Sequence, residues 1–220
     1  SPAYRGEVRI DVRLDSAQTE IQLHAKDLTL EHVQYRRGTA VQAVSVRQMD
    51  NGRVHLKARS SFPKGDGTLE IRFSGQVTKT PDGLYRVRDG DDDYIFSQFE
   101  PISARTAFPC FDEPRFKTPF KISVRAPKGN IVVSNAPEVN RREMETHIHF
   151  EFKETRPLPT YLVAFGIGPL EIVTSQETLE NQIPFRVVVP RGKAGLTGFA
   201  LRETPAIHRA LRDYLASDYP

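Results

Sequence analysis

Zinc hydrolysis, calcium binding, thiol chemistry and carboxylate recognition are the chemistries that residue types and spacing in this chain could support. The histidines are His24, His32, His55, His147, His149 and His208, and no pair forms His-Glu-x-x-His, so a metalloprotease helix cannot be built from them. His147 and His149 alternate in HIHFEF and would share one strand face. Such a pair could hold a metal, but ordinarily it faces water. Asp89, Asp91, Asp93 and Glu100 fall at the ligand spacing of a calcium loop. Tyr94 occupies the position where that loop needs glycine, and the flanks LYRVR and YIFSQF read as strands, so a solvated loop is expected. Cys110, the single cysteine, stands between proline and phenylalanine and reads as a buried free thiol rather than a nucleophile. Gly129, Gly166 and Gly168 lack the spacing of a phosphate loop.

Strands must position whatever site exists. Val8, Ile10, Val12 and Leu14 alternate with charged residues, the period-two pattern of a strand with one wet face. Similar patterns place strands at 21–25, 41–46, 54–58, 69–77, 120–124, 131–133, 147–152, 161–165 and 185–189. Turn signals such as Asp50-Asn51-Gly52 and Pro81-Asp82-Gly83 separate them at the spacing of a β-sandwich. After Pro190 the apolar residues switch to three- and four-residue spacing. Thr204-Pro205 reads as an N-cap and first-turn proline, so a helix is expected to start near 205. Between strands, residues 94 to 119 form a long irregular segment with four prolines and several aromatics. Segments of that length are functional or disordered, and the aromatics argue against disorder.

That segment carries a resemblance. SQFEP at 97–101, AR at 104–105 and AFPCFDEPRFKTPFKISV at 107–124 resemble the aminopeptidase N family of zinc exopeptidases. The likeness continues through VVSNAP at 132–137 and PTYLVAFGIGPLE at 159–171 and closes on RALRDYLASDYP, which is similar to that family's first catalytic-domain helix. Residues 1–84 fit as generic alternating strands.

The resemblance implies a mostly β fold, a bent, saddle-like antiparallel β-sandwich followed by a short helical segment. Residues 1–190 would form the amino-terminal β-domain and 191–220 the opening of a catalytic domain. The family holds zinc with HExxH and a later glutamate and grips the substrate backbone with GxMEN; neither motif is present here, so zinc is expected in the full-length parent and not in this fragment. The third residue of the QFE triplet, Glu100, would bind the substrate α-amino group, a task that suits a carboxylate through a charge-assisted hydrogen bond. Gln98 would line the pocket for the first side chain. Relatives often carry a strained peptide bond after this glutamate, and Pro101 lowers the cost of cis to about 0.5–1 kcal/mol, so a cis Glu100-Pro101 bond is expected. Arg105, Asp112 and Glu113 are read as ties that fasten the long segment to the sheet.

The partners implied are a peptide amino terminus and the downstream catalytic domain. Composition narrows the remaining classes. Acidic and basic residues are interleaved at a net charge of +3, without the basic, aromatic-laced stripe that nucleic acid needs. No segment approaches the ~20 apolar residues of a membrane span, and SPAYRGEVRI does not read as a targeting sequence. A carbohydrate-binding sandwich would want a row of exposed aromatics, and the chain has no tryptophan. A binding or scaffold module of an inactive relative is the alternative reading; retention of Glu100 favours the enzyme.

Overall fold

A computed structural model describes residues 2–219. The strands are β1 (Ala3–Leu14), β2 (Gln18–His24), β3 (Thr29–Arg37), β4 (Ala40–Gln48), β5 (Arg53–Phe62), β6 (Gly65–Gln76), β7 (Gly83–Asp89) and β8 (Asp92–Gln98). They continue as β9 (Ser123–Pro127), β10 (Ile131–Ser134), β11 (Glu138–Glu143), β12 (His147–Phe152), β13 (Phe165–Gly168), β14 (Leu170–Thr174) and β15 (Arg186–Pro190), and α1 spans Gly198–Leu215. The fold is mostly β, with antiparallel pairing in the six-, three- and two-stranded sheets and a single α-helix among the described residues. Sheet orders are β1-β6-β3-β4-β5-β2, β10-β13-β8-β7, β11-β12-β9 and β14-β15.

The chain divides into two compact units. The first takes in residues up to Val87, Ile95–Phe120 and Pro157–Phe165; the second takes in Arg88–Tyr94, Lys121–Arg156 and the residues from Gly166 onward.

The first unit is built on the six-stranded sheet. Alternation sends Leu23, Val54, Leu56, Leu69 and Ile71 to one side, where they form a common core, while Arg53, Lys57 and Arg72 at alternate positions are exposed. Tyr35 of β3 and Phe62 of β5 meet edge to face at 5.1 Å across that core. The close fit depends on Gly67, because a Cβ there would overlap the Tyr35 phenol.

Sequence pattern missed β3 for a physical reason. A register shift between Leu30 and His32 breaks the alternation that would have marked the strand.

The second unit has a smaller core of Ala126, Val132, Ile148, Phe150 and Phe152. Here β11 also escaped the sequence reading, since EVNRRE has almost no apolar face. It lies at the edge of its sheet, where Arg141 stacks over the Phe150 ring at 4.8 Å instead of an aliphatic side chain packing there. The hairpin β14-β15 precedes α1.

The expected helix start near 205 is corrected. α1 begins after Thr197, with Leu201 N–H donating to the Thr197 carbonyl at 3.0 Å, and Pro205 lies inside it. An internal proline forfeits one intrahelical bond, which is why sequence alone placed it in a first turn. The expected strand at 161–165 is corrected too. Thr160–Leu162 forms a 3-10 turn, and β13 begins only at Phe165. Residues 94–98, assigned to the irregular segment, belong to β8.

α1 is amphipathic in an unusual sense. Its half-buried face carries Leu201, Thr204, His208 and Arg212, with His208 Nδ1 2.8 Å from a Glu180 carboxylate oxygen. Its apolar stripe of Phe199, Ile207, Leu211 and Tyr214 is turned outward, Phe199 being 70% and Tyr214 87% exposed. None of the described residues is in a helix long and apolar enough to cross a membrane.

Candidate functional site

β8 delivers the chain to the candidate site, and strand parity continues past its end. Gln98 and Glu100 point outward, while Phe99 between them is buried at 2% exposure. Phe99 is held edge to face by Phe108 at 5.8 Å and by Phe165 at 6.3 Å. The Phe165 N–H donates to Ser97 Oγ at 2.8 Å, fastening β8 to the segment that begins β13.

The Glu100-Pro101 bond is cis, as its sequence context led us to expect. The turn closes when the Ser103 N–H donates to the Phe99 carbonyl at 2.8 Å, and a 3-10 turn over Ala104–Thr106 follows at once. Gln98 Nε2 donates to the Glu100 backbone carbonyl at 3.4 Å, so the two site residues sit together. The Glu100 carboxylate is exposed and makes no ion pair among the described residues.

Beneath this turn lies a buried polar network. Asp112, 2% exposed, accepts from Arg105 Nε at 2.7 Å on one carboxylate oxygen and from the Thr160 hydroxyl at 2.5 Å on the other. Arg105 Nη2 also donates to the Asp112 backbone carbonyl at 3.0 Å. Both acceptor oxygens are thereby satisfied, as burial of a carboxylate requires.

Further bonds tie the segment to the sheet. The Lys26 N–H donates to the Arg105 carbonyl at 2.8 Å, and His24 and Cys110 exchange backbone bonds at 2.8 and 3.0 Å. The Tyr4 hydroxyl donates to the Ala107 carbonyl at 2.8 Å, and its burial pushes the phenol upward from its ordinary range. Arg105 and Asp112 thus act as ties, as their sequence setting suggested. Glu113 pairs with exposed Arg115 at 3.0 Å.

His24 and Thr160 were not singled out from sequence, because nothing local marks them; their partner Asp112 stands 88 and 48 positions away. His24 Nδ1 accepts the Asp112 backbone N–H at 3.3 Å, which requires that nitrogen unprotonated. Burial lowers the His24 pKa, with the Arg105 charge adding to the effect. A folded value below the unfolded one stabilises the fold above the ordinary histidine pKa of about 6.5, and that stability is lost as pH falls through the folded value. The urea midpoint is therefore expected to fall between pH 7 and 5 with a steeper slope in the wild type than in His24→Gln. Parallel slopes would show that His24 does not contribute.

The other sequence signals resolve differently. The DGDDD run forms the hairpin between β7 and β8, where Asp89 pairs with Lys193 at 3.4 Å and Asp92 with Arg191 at 3.5 Å. Cys110 is buried, and desolvation raises its thiol pKa well above the ordinary range, so it is a packing residue. His147 and His149 share a face of β12, and His149 lies 3.3 Å from Glu151. Among the described residues no three His, Cys, Asp or Glu side chains converge as a metal-holding group, so the donors present do not fit zinc.

Comparison with known proteins places this geometry. The chain matches the Peptidase M1 N-terminal domain over residues 1–162. It is 29% identical to Aminopeptidase M1-D of Oryza sativa subsp. japonica over 222 residues, covering 99% of this chain and 25% of the relative. Leucyl aminopeptidase of Saccharolobus solfataricus is 39% identical over 140 residues, 63% of this chain and 17% of the relative. Aminopeptidase N of Acetobacter pasteurianus is 29% identical over 224 residues, 94% of this chain and 60% of the relative. The chain thus spans about a quarter of the rice relative's length and less than two thirds of the others. A match over most of its residues, including the Glu100 turn and the Asp112 network, shows that the chain belongs to the Peptidase M1 N-terminal domain family.

Proposed function

We propose that this chain is the non-catalytic amino-terminal domain of a zinc-dependent aminopeptidase that releases amino-terminal residues from peptides. In this reading residues 1–190 cap the active-site cleft, and 191–220 open the catalytic domain. Glu100 receives the substrate α-ammonium, and Gln98 borders the pocket for the first side chain. Zinc belongs to the downstream part, and the chain alone hydrolyses nothing.

The observation that carries the reading is the state of Glu100. Its carboxylate is exposed and without an ion-pair partner among the described residues, on a turn whose flanking Phe99 and Ser103 are buried. A carboxylate on an anchored turn but left unpaired can take an incoming ammonium without first giving up a partner. The outward apolar stripe of α1 supports the downstream domain, since a row of exposed Phe199, Ile207, Leu211 and Tyr214 is a surface that water does not favour.

The test compares a peptide bearing a free amino terminus with its amino-acetylated form, using the full-length protein. An ammonium anchor predicts cleavage of the first and at least about a hundredfold slower cleavage of the second, the scale set by losing a desolvated charge pair. Equal rates would refute the anchor. Binding without turnover of either peptide would favour the scaffold module.

A further inference from the structure

Besides tying the long segment down, Asp112 has both carboxylate oxygens engaged, one by Arg105 and one by Thr160. Its side chain is 2% exposed and that of Arg105 14%, so the pair is withdrawn from water. Replacing a buried ion pair by apolar groups of like volume is often neutral or stabilising, so net stability does not account for it. What such a pair can supply is one conformation, because each partner must meet the other with defined geometry.

The conformation it selects bears on Glu100. Arg105 lies in the 3-10 turn that follows Pro101–Ser103, and hydrogen bonds run without a gap from that turn to Phe99: Thr106 N–H to the Ser103 carbonyl at 3.1 Å, then Ser103 N–H to the Phe99 carbonyl at 2.8 Å. On its far side Asp112 takes the hydroxyl of Thr160, and Phe165, in the segment just after it, packs on Phe99. Glu100 is therefore bracketed. Phe99 before it is clamped by Phe108 and Phe165, and the chain after it is clamped through Arg105 to Asp112 and Thr160.

We propose that Asp112 is a positioning residue for peptide recognition, acting through Arg105 and Thr160 to hold the Glu100 carboxylate where the substrate ammonium arrives. This rests on the reading of Glu100 given above. The group itself touches no substrate. It sets the distance at which Glu100 does.

The test is a double-mutant cycle in the full-length enzyme, with kcat/KM and KM measured on a peptide with a free amino terminus. Asp112→Asn and, separately, Thr160→Val are made in the wild type and in Glu100→Gln. Thr160→Val keeps side-chain shape and leaves the ion pair in place, so it remains informative if Asp112→Asn fails to fold. Each is expected to lower kcat/KM about tenfold in the wild type, a small misplacement being enough for such a loss. The loss should appear mainly in KM. In the Glu100→Gln background the same substitutions should cost less than about twofold, because the charge that made the position critical is gone. An equal loss in both backgrounds, or no loss from Thr160→Val in the wild type, overturns the proposal while leaving the role of Glu100 intact. No effect of Glu100→Gln itself overturns the anchor reading and this one with it.

Discussion

Replacing Glu100 by alanine in the full-length protein is expected to lower kcat/KM for peptides by roughly two orders of magnitude while leaving the fold untouched. The loss follows from the charge pair that the substrate would make. Truncating one partner of a desolvated, hydrogen-bonded ion pair costs about 2–5 kcal/mol, with tenfold for each ~1.4 kcal/mol. The stability half of the expectation follows from exposure. Glu100 makes no ion pair among the described residues, and its side chain lies in water. Substitution at such a surface position changes stability by no more than about 0.5 kcal/mol. Steady-state kinetics with urea unfolding alongside would check both halves. An unchanged kcat/KM in a folded variant would remove Glu100 from substrate binding.

The second large effect is expected one residue earlier and on the opposite quantity. Phe99→Ala should destabilise the chain by about 3–5 kcal/mol, the range for deleting a large buried aromatic. Phe99 is 2% exposed and makes two edge-to-face contacts, with Phe108 and Phe165, which add about 0.5–1.5 kcal/mol each beyond area burial. A cavity at this point would also loosen the turn from below. Urea unfolding of Phe99→Ala and Phe99→Leu against the wild type would show it, with leucine recovering part of the loss. A cost below about 1 kcal/mol for alanine would mean that Phe99 is not the anchor of the turn.

Neighbouring residues thus separate into two tasks by strand parity alone. Gln98 and Glu100 face out, where the proposed recognition role would need them, and Phe99 faces in to anchor the turn. That division was legible in the sequence once the strand leading into QFE was granted. The cis bond at Glu100-Pro101 was legible as well, from a proline that follows a glutamate in this context.

Strands whose side chains alternate cleanly, such as β1, β5 and β12, could be read directly, because burial of one face imposes a period of two on the sequence. β3 could not, since its bulge shifts the period midway. β11 could not, since an edge strand capped by Arg141 over Phe150 needs few apolar residues of its own. The start of α1 was misplaced because local preference puts proline first in a helix, whereas here the helix begins at Gly198 and Pro205 falls inside.

What residues 97–124 determined by themselves was the family resemblance and the choice of Glu100 as the carboxylate to examine, while the mostly β class came from the alternating strands along the rest of the chain. Which groups hold that carboxylate in place was decided only by tertiary structure. Asp112 meets Thr160 across 48 positions, and His24 meets it across 88. Local spacing encodes neighbours along a strand or within a turn. A buried carboxylate instead takes its donors from whichever segments the sheet happens to bring beside it, and no pattern in a single stretch of sequence records that meeting.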